Sequence, residues 1–213
     1  MMIDIFDLRR EFTLKTLDEK DVLDNPIAQF GVWFDEAVRS NVLEPNAMIL
    51  STVSIDLKPS ARVLLLKQVK EEGFVFFTNY KSRKASQIAE NPNASLTFIW
   101  HELERQIRVE GIIEKISSKE SDSYFESRPV ASKLGAWASP QSQVIPNREY
   151  LEQLVMDFNA RFKGIEIIRP DNWGGYILKP LLIEFWQGRK SRLHDRIQYC
   201  NIDGNWKIER LAP

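Results

Sequence analysis

The chain has one cysteine, Cys200, which excludes an internal disulfide and any cysteine-based zinc site. No excess of either charge exists: 29 basic residues face 30 acidic ones, for a net charge of −1. No global field therefore draws nucleic acid or an anionic membrane, and any basic site must be a local cluster. No apolar run reaches membrane-spanning length, and Met1 to Lys15 is too charged for a signal peptide, so the cytoplasm is the expected compartment. Neither G-x-G-x-x-G nor G-x-x-x-x-G-K-[ST] occurs. A Rossmann or P-loop cradle is thus absent, and a phosphorylated ligand would have to be gripped by side chains. No metal site is expected. Internal repeats, low-complexity segments and linkers are missing too.

What remains is a globular chain of 213 residues, 43% hydrophobic and 28% charged, long enough for a sizeable core. Residues 1–20 mix charge and aromatics without a clear period and read as a tail or flap, leaving 21–213 as a single domain. Asn25-Pro26 opens a helix, with Ile27, Phe30, Phe34, Ala37 and Val38 on its apolar face. Strand patterns then cover 47–55, 61–69 and 74–79, and Ser82 to Glu90 is a short helix. Strands resume at 94–101 and 105–116. Ser117 and Glu120 form a capping box for a helix through Tyr124 and Phe125. Asn147 starts another helix, with Leu151, Leu154, Val155, Phe158 and Phe162 as its buried stripe. Strands at 173–179, 181–187, 192–199 and 206–210 close the chain. Short strands joined by hairpins, with helices between them, predict a mainly β, antiparallel barrel rather than a parallel βαβ sheet.

Four places carry unusual charge. If 192–199 is a strand, alternation puts Arg192, His194 and Arg196 in one row beside the apolar Phe185 and Trp186. Such a row repels itself unless an anion sits opposite, although a solvated edge strand also carries such charges. Arg62 and Lys67 bracket the apolar Val63-Leu64-Leu65-Leu66, on opposite faces by strict alternation, so a bulge or two separate contacts must divide their roles. Arg83 and Lys84 fall in the first turn of a helix capped by Ser82. Cations there oppose the helix dipole at a cost of about 0.3–1 kcal/mol each, and a bound phosphate reverses the sign. Tyr124 and Arg128 share a helix face, Pro129 interrupts, and 132–137 has a loop's composition. With Ser132 they make a set suited to phosphate.

Taken in order, these pieces resemble the pyridoxamine 5′-phosphate oxidase family. The resemblance runs from Leu8-Arg9-Arg10-Glu11 to the C-terminal Glu209-Arg210-Leu211-Ala212-Pro213. It includes Arg62 to Lys67, Phe76-Phe77-Thr78-Asn79, Ser82-Arg83-Lys84, Arg105 to Gly111, Tyr124 to Pro129, Trp173-Gly174-Gly175-Tyr176, Glu184 to Gly188 and Arg192 to Arg196. It implies an FMN-binding split β-barrel that forms a homodimer with FMN at the subunit interface. Matched to cofactor positions are Arg62, Val63, Leu64, Leu65, Leu66, Lys67, Phe77, Thr78, Arg83, Lys84, Gln106, Gln141, Ser142, Trp186 and Arg196. Lys67, Tyr124, Arg128 and Ser132 match contacts to the substrate phosphate. Arg192 and His194 match the pair lying against the substrate ring, and Arg9 could serve from the flap, where Phe12 replaces a tyrosine found in some members.

The implied activity is oxidation of pyridoxamine or pyridoxine 5′-phosphate by O2 to pyridoxal 5′-phosphate, releasing H2O2, in vitamin B6 metabolism. Two alternatives stay open: another split-barrel flavin reductase, or a non-catalytic binder of FMN or pyridoxal phosphate. His101 and Glu44 read as structural and solvated respectively.

Overall fold

A computed structural model describes residues 10–213; Arg9, expected to reach the site, lies outside the described residues. Helices are α1 (Pro26–Arg39), α2 (Arg83–Glu90), α3 (Ser118–Glu126), α4 (Val130–Ala138) and α5 (Arg148–Arg161). Strands are β1 (Ala47–Val53), β2 (Pro59–Leu65), β3 (Gln68–Lys70), β4 (Gly73–Asn79), β5 (Asn93–Trp100), β6 (Arg105–Lys115), β7 (Trp173–Gln187), β8 (Asp195–Ile202) and β9 (Asn205–Leu211). The strands hydrogen-bond in the order β2-β1-β5-β6-β7-β4-β3, with β8 between β7 and β9. The registers of β3–β4, β4–β7, β7–β8 and β8–β9 are all antiparallel. Among the described residues no helix is long and apolar enough to cross a membrane, and no group of His, Cys, Asp and Glu could hold a metal ion.

Two compact units form. The first comprises the residues up to Ile49, Ser95–Glu110 and Pro180–Pro213. There Asn25 caps α1, its Oδ1 accepting from the Ile27 and Ala28 amides at 2.8 and 3.2 Å. The buried face of α1 is Phe30, Trp33 and Ala37, whereas Val38, expected inside, is 50% exposed. Phe30 packs 5.0 Å from Phe98 and Trp33 packs 5.1 Å from Phe185, which in turn meets Tyr199. Each ring removed from water this way contributes about 1.5–3 kcal/mol.

The second unit comprises Leu50–Ala94 and Gly111–Lys179. Its β4 buries Phe74, Val75 and Phe76 completely and pairs with β7 from Phe74↔Leu178 to Asn79↔Trp173. Gly174 and Gly175 of β7 are required by close approach. A Cβ on Gly175 would lie 2.8 Å from Phe77, and one on Gly174 would lie 3.1 Å from the Ser121 hydroxyl of α3. The capping box at Ser117 and Glu120 is present.

Further expectations change, beginning with the strand expected at 61–69, which is divided between β2 and β3. Residues 132–137 are helical in α4, because Leu134 and Ala138 face inward and Trp137 packs between Phe158 of α5 and Phe162, the residue that caps it. Packing outweighs a composition that favours loop. The stripe expected on α5 is only half-buried at Leu151, Leu154, Phe158 and Phe162, and Val155 is exposed. The strands expected at 173–179 and 181–187 are one strand. Pro180 falls between the register with β4, which ends at Leu178, and that with β8, which begins at Leu182, so neither ladder needs its missing N–H.

Candidate functional site

In the second unit, a cavity of about 510 Å³ collects residues from six separate stretches of chain. Val63, Leu64 and Leu65 come from β2, Lys67 from just beyond it, and Phe77 and Thr78 from β4. Lys84 enters from the first turn of α2 and Tyr124 from α3. Arg128 and Pro129 stand at the α3–α4 break, Ser132 in the first turn of α4, Gln141 beyond it and Trp173 at the start of β7. The expected substrate-phosphate set Lys67, Tyr124, Arg128 and Ser132 is therefore brought together. Lys67 escapes the alternation argument because β2 ends at Leu65, and its amide donates instead to the Val75 carbonyl at 2.9 Å.

The wall is aromatic. Phe77 stacks on Tyr124 with centroids 3.8 Å apart and lies 5.4 Å from Trp173. The Arg128 guanidinium sits 4.5 Å above the Trp173 ring, and burial pushes its pKa down. Its Nη1 is buried without any hydrogen-bond partner. A buried donor left unsatisfied costs about 1–3 kcal/mol.

A second cationic group adjoins. Lys84 is 8% exposed, and its Nζ donates to Thr78 Oγ1 at 3.2 Å, Gln141 Oε1 at 3.1 Å and Ser82 Oγ at 3.5 Å. All three acceptors are neutral. Burial, and then the charge of Arg62, lower the Lys84 pKa to about 8. Arg62 is itself depressed by burial and by Arg83. Its Nη1 donates to Thr52 Oγ1 at 2.7 Å and to the Leu50 carbonyl, and its Nη2 to Ser60 Oγ at 2.6 Å. Arg83 is exposed beside them, and Ser82 caps α2. Two cations at a helix start and Arg62 of β2 beside them, with Lys84 and Arg62 held by neutral oxygens alone, make a surface suited to a phosphate. Leu66 is buried and Ser142 is exposed at φ +69°; neither lines the cavity.

The first unit holds the remaining expected residues, and here the strand-row argument fails. The segment Lys190–Arg192 is a 3-10 turn with Ser191 and Arg192 at φ +56° and +64°, and β8 begins only at Asp195. Arg192 and His194 thus precede the strand, so alternation cannot align them with Arg196. A basic stretch with polar neighbours gave no sign that the backbone would turn left-handed twice. His194 still meets Trp186, 4.5 Å ring to ring, and both meet the edge of Phe12 at 5.7 and 5.8 Å. His194 Nδ1 accepts from the Arg189 amide at 3.1 Å, which leaves the ring proton of the neutral form on Nε2. Burial and Arg192 lower its pKa, against a smaller opposing effect of Asp195.

Arg196 pairs across the sheet with Trp186 and makes a bidentate ion pair with Glu184. Gln106 and Trp186 line a further cavity of about 330 Å³ with Phe12, Ile99, His101 and Glu104. Glu44 is exposed. Glu184, Glu104 and the polar group Thr52, Ser60 and Gln87 around Arg62 were not singled out by sequence reasoning. Nothing local distinguishes a carboxylate that will be buried against a distant guanidinium.

Known proteins can be set beside this geometry. Residues 34–161 match the family described as pyridoxamine 5′-phosphate oxidase, and residues 173–213 match the pyridoxine 5′-phosphate oxidase C-terminal dimerisation region. A pyridoxine/pyridoxamine 5′-phosphate oxidase of Cupriavidus pinatubonensis is 56% identical over 213 residues, all of both chains. One from Nostoc punctiforme is 54% identical over 210 residues, 98% of each chain. Among solved structures, PhzG from Burkholderia lata in complex with tetrahydrophenazine-1-carboxylic acid aligns with a TM-score of 0.88 at 30% identity, covering 94% of this chain and 99% of its own. A pyridoxamine 5′-phosphate oxidase-related FMN binding protein of Nostoc punctiforme aligns at 0.69 and 21% identity, over 85% and 96% of the two chains. The fold is thus the mainly antiparallel split β-barrel that the sequence led one to expect.

Proposed function

The chain belongs to the pyridoxamine 5′-phosphate oxidase family, and from that premise we propose that it oxidises pyridoxamine 5′-phosphate and pyridoxine 5′-phosphate to pyridoxal 5′-phosphate, with FMN as cofactor and O2 as acceptor. The amine reaction consumes water and O2 and yields aldehyde, NH3 and H2O2; the alcohol reaction consumes O2 and yields aldehyde and H2O2. The observation that carries this reading is the convergence of Lys67, Tyr124, Arg128 and Ser132 on one cavity, with a buried Arg128 N–H awaiting an acceptor. A phosphate oxygen is the acceptor those residue types suit best.

The residues present fit FMN. Lys84, with neutral partners only, and the adjoining Arg62 and Arg83 would hold its phosphate, with Thr78 and Gln141 completing the cradle. Val63 to Lys67, Phe77, Ser142, Gln106, Trp186 and Arg196 are assigned to the rest of the cofactor. The chemistry that bound FMN supplies is two-electron exchange between substrate and O2. The protein's part is orientation. Arg192 and His194 would lie along the substrate ring while the phosphate anchor fixes its far end, so the 4′ carbon is held in one place. His194, neutral with its proton on Nε2, would donate a hydrogen bond rather than act as a base. We assign 21–213 as the catalytic domain and 1–20 as its flap, with Arg9 reaching substrate. A cytoplasmic homodimer with FMN at the interface completes the proposal, supported by the match to a dimerisation region.

A second reading follows from the 30% identical PhzG structure: a reduced ring carboxylate as substrate, its carboxylate meeting the same cations. Relatives 51–56% identical over nearly their whole length favour the vitamin B6 phosphates. The test is to load the protein with FMN, add pyridoxamine 5′-phosphate in air, and follow peroxide and aldehyde absorbance together. Equal amounts of both support the oxidase. Binding of FMN without peroxide leaves a carrier, and turnover of only a phosphate-free carboxylate leaves the second reading.

A further inference from the structure

Glu104 ends a 3-10 turn in the left-handed region, at φ +54° and ψ +41°, a conformation rarely kept by a residue with a side chain unless its surroundings impose it. Its side chain is 2% exposed. Both of its ends are used. The carboxylate Oε2 accepts from two successive backbone amides, Thr13 at 2.8 Å and Leu14 at 3.0 Å, while Oε1 lies 3.4 Å from Arg10 Nη2. On the other side its own carbonyl accepts from the Gly188 amide at 2.7 Å and from Gln187 Nε2 at 3.2 Å. The first pair of bonds fixes the segment that carries Phe12. The second fixes the end of β7, immediately before the turn that carries Arg192 and His194. Between them the Phe12 ring lies edge-on to Trp186 and His194, in space that Gly188 leaves open: a Cβ there would come within 2.7 Å of the ring.

We infer that Glu104 is a positioning residue of the site, a two-sided clasp that holds Phe12 over Trp186 and His194 so that the substrate ring is enclosed there. The inference rests on the oxidase reading for its substrate, but not for its geometry. Charge-assisted bonds to backbone amides restrain a segment without consuming any side chain of that segment, so Phe12 stays free to pack.

Two substitutions separate the clasp from mere stability. Glu104→Asn tolerates the left-handed backbone but is one methylene too short to reach Thr13 and Leu14. Glu104→Gln keeps an oxygen where both amides point. Because the chain has two histidines, the ring protons of His194 are assigned in NMR spectra with a single His101→Gln control. In FMN-loaded protein, Glu104→Asn should move the His194 ring signals to the positions seen in Phe12→Ala, where the ring-current shift is gone, and speed amide exchange at Thr13 and Leu14 at least tenfold. Glu104→Gln should match the parent in both. With pyridoxamine 5′-phosphate, Asn and Phe12→Ala should each raise KM tenfold or more with kcat changed less than threefold. Unmoved His194 signals in Glu104→Asn would overturn the clasp, and moved signals with an unchanged KM would reduce it to a structural tie. If the parent shows no turnover, the oxidase reading fails, and the spectra still decide Glu104.

Discussion

Arg196 and Glu184 face each other as a planar pair, Nε to Oε1 and Nη2 to Oε2 both at 2.9 Å, with the carboxylate 3% exposed. The third Arg196 bond, Nη1 to the Ala212 carbonyl at 2.8 Å, ties the same guanidinium to the residue just past the end of β9. A residue expected only to touch cofactor is thus also a structural centre, and Arg108 adds a second cation 3.3 Å from Glu184. Removing the carboxylate leaves the Arg196 guanidinium without its ion-pair partner, while Arg108 keeps Glu110 at 2.9 Å. Glu184→Ala should lose about 3 kcal/mol in urea unfolding, the low end for a broken buried pair because Arg196 is partly exposed. The double variant Glu184→Leu, Arg196→Met should recover most of that stability and none of the cofactor affinity. A single variant as stable as the parent would show that the pair contributes nothing.

Arg128 should trade stability for binding. Its buried Nη1 finds no acceptor, so Arg128→Met removes an unsatisfied donor while keeping apolar contact with Trp173. The ligand-free variant should unfold at the same urea concentration or higher, by up to about 1 kcal/mol. Its KM for pyridoxamine 5′-phosphate should rise about a hundredfold, the loss of charge-assisted bonds worth roughly 3 kcal/mol. Unchanged KM would remove Arg128 from the phosphate anchor.

Lys84, if it holds the FMN phosphate as proposed, should make FMN binding depend on pH. With its pKa lowered to about 8 by burial, Lys84 loses its proton in the free protein above that pH. A bound phosphate favours the charged form, so binding above pH 8 must take up a proton. Affinity for FMN should therefore be flat below about pH 8 and then fall by up to tenfold per pH unit. Proton uptake should appear in titration calorimetry run in two buffers of different ionisation enthalpy. In the ligand-free protein the same group acts in the opposite direction. Its folded pKa lies below the ordinary lysine value of 10.5, so stability rises with pH between about 8 and 10.5. Lys84→Met should abolish both slopes.

Arg192 should matter for turnover and not for colour. Its left-handed φ of +64° favours Asn as replacement, since Asn adopts that conformation at less cost than other residues with a Cβ. Arg192→Asn should bind FMN with the parent's visible spectrum and lose most of its turnover with pyridoxamine 5′-phosphate. Stopped-flow absorbance under anaerobic conditions separates a slower chemical step from slower oxygen consumption. Parent-like turnover would take Arg192 out of the reaction.

The sequence alone determined much of this protein. Asn25-Pro26, Ser82 and the Ser117–Glu120 box set helix starts through contacts within three residues, so they are readable locally. The antiparallel β class followed from short alternating runs, and the proposal of a phosphate site from cations placed against a helix dipole. Tertiary structure alone decided the rest. It made 132–137 helical by packing Trp137 on α5, carried β7 straight through Pro180, and turned Arg192 out of the strand that alternation had drawn. It also chose which carboxylates are buried. Glu184 and Glu104 look like any other charged residue along the chain. Their roles arise from partners 12 and about 90 residues away, at distances that no local pattern encodes.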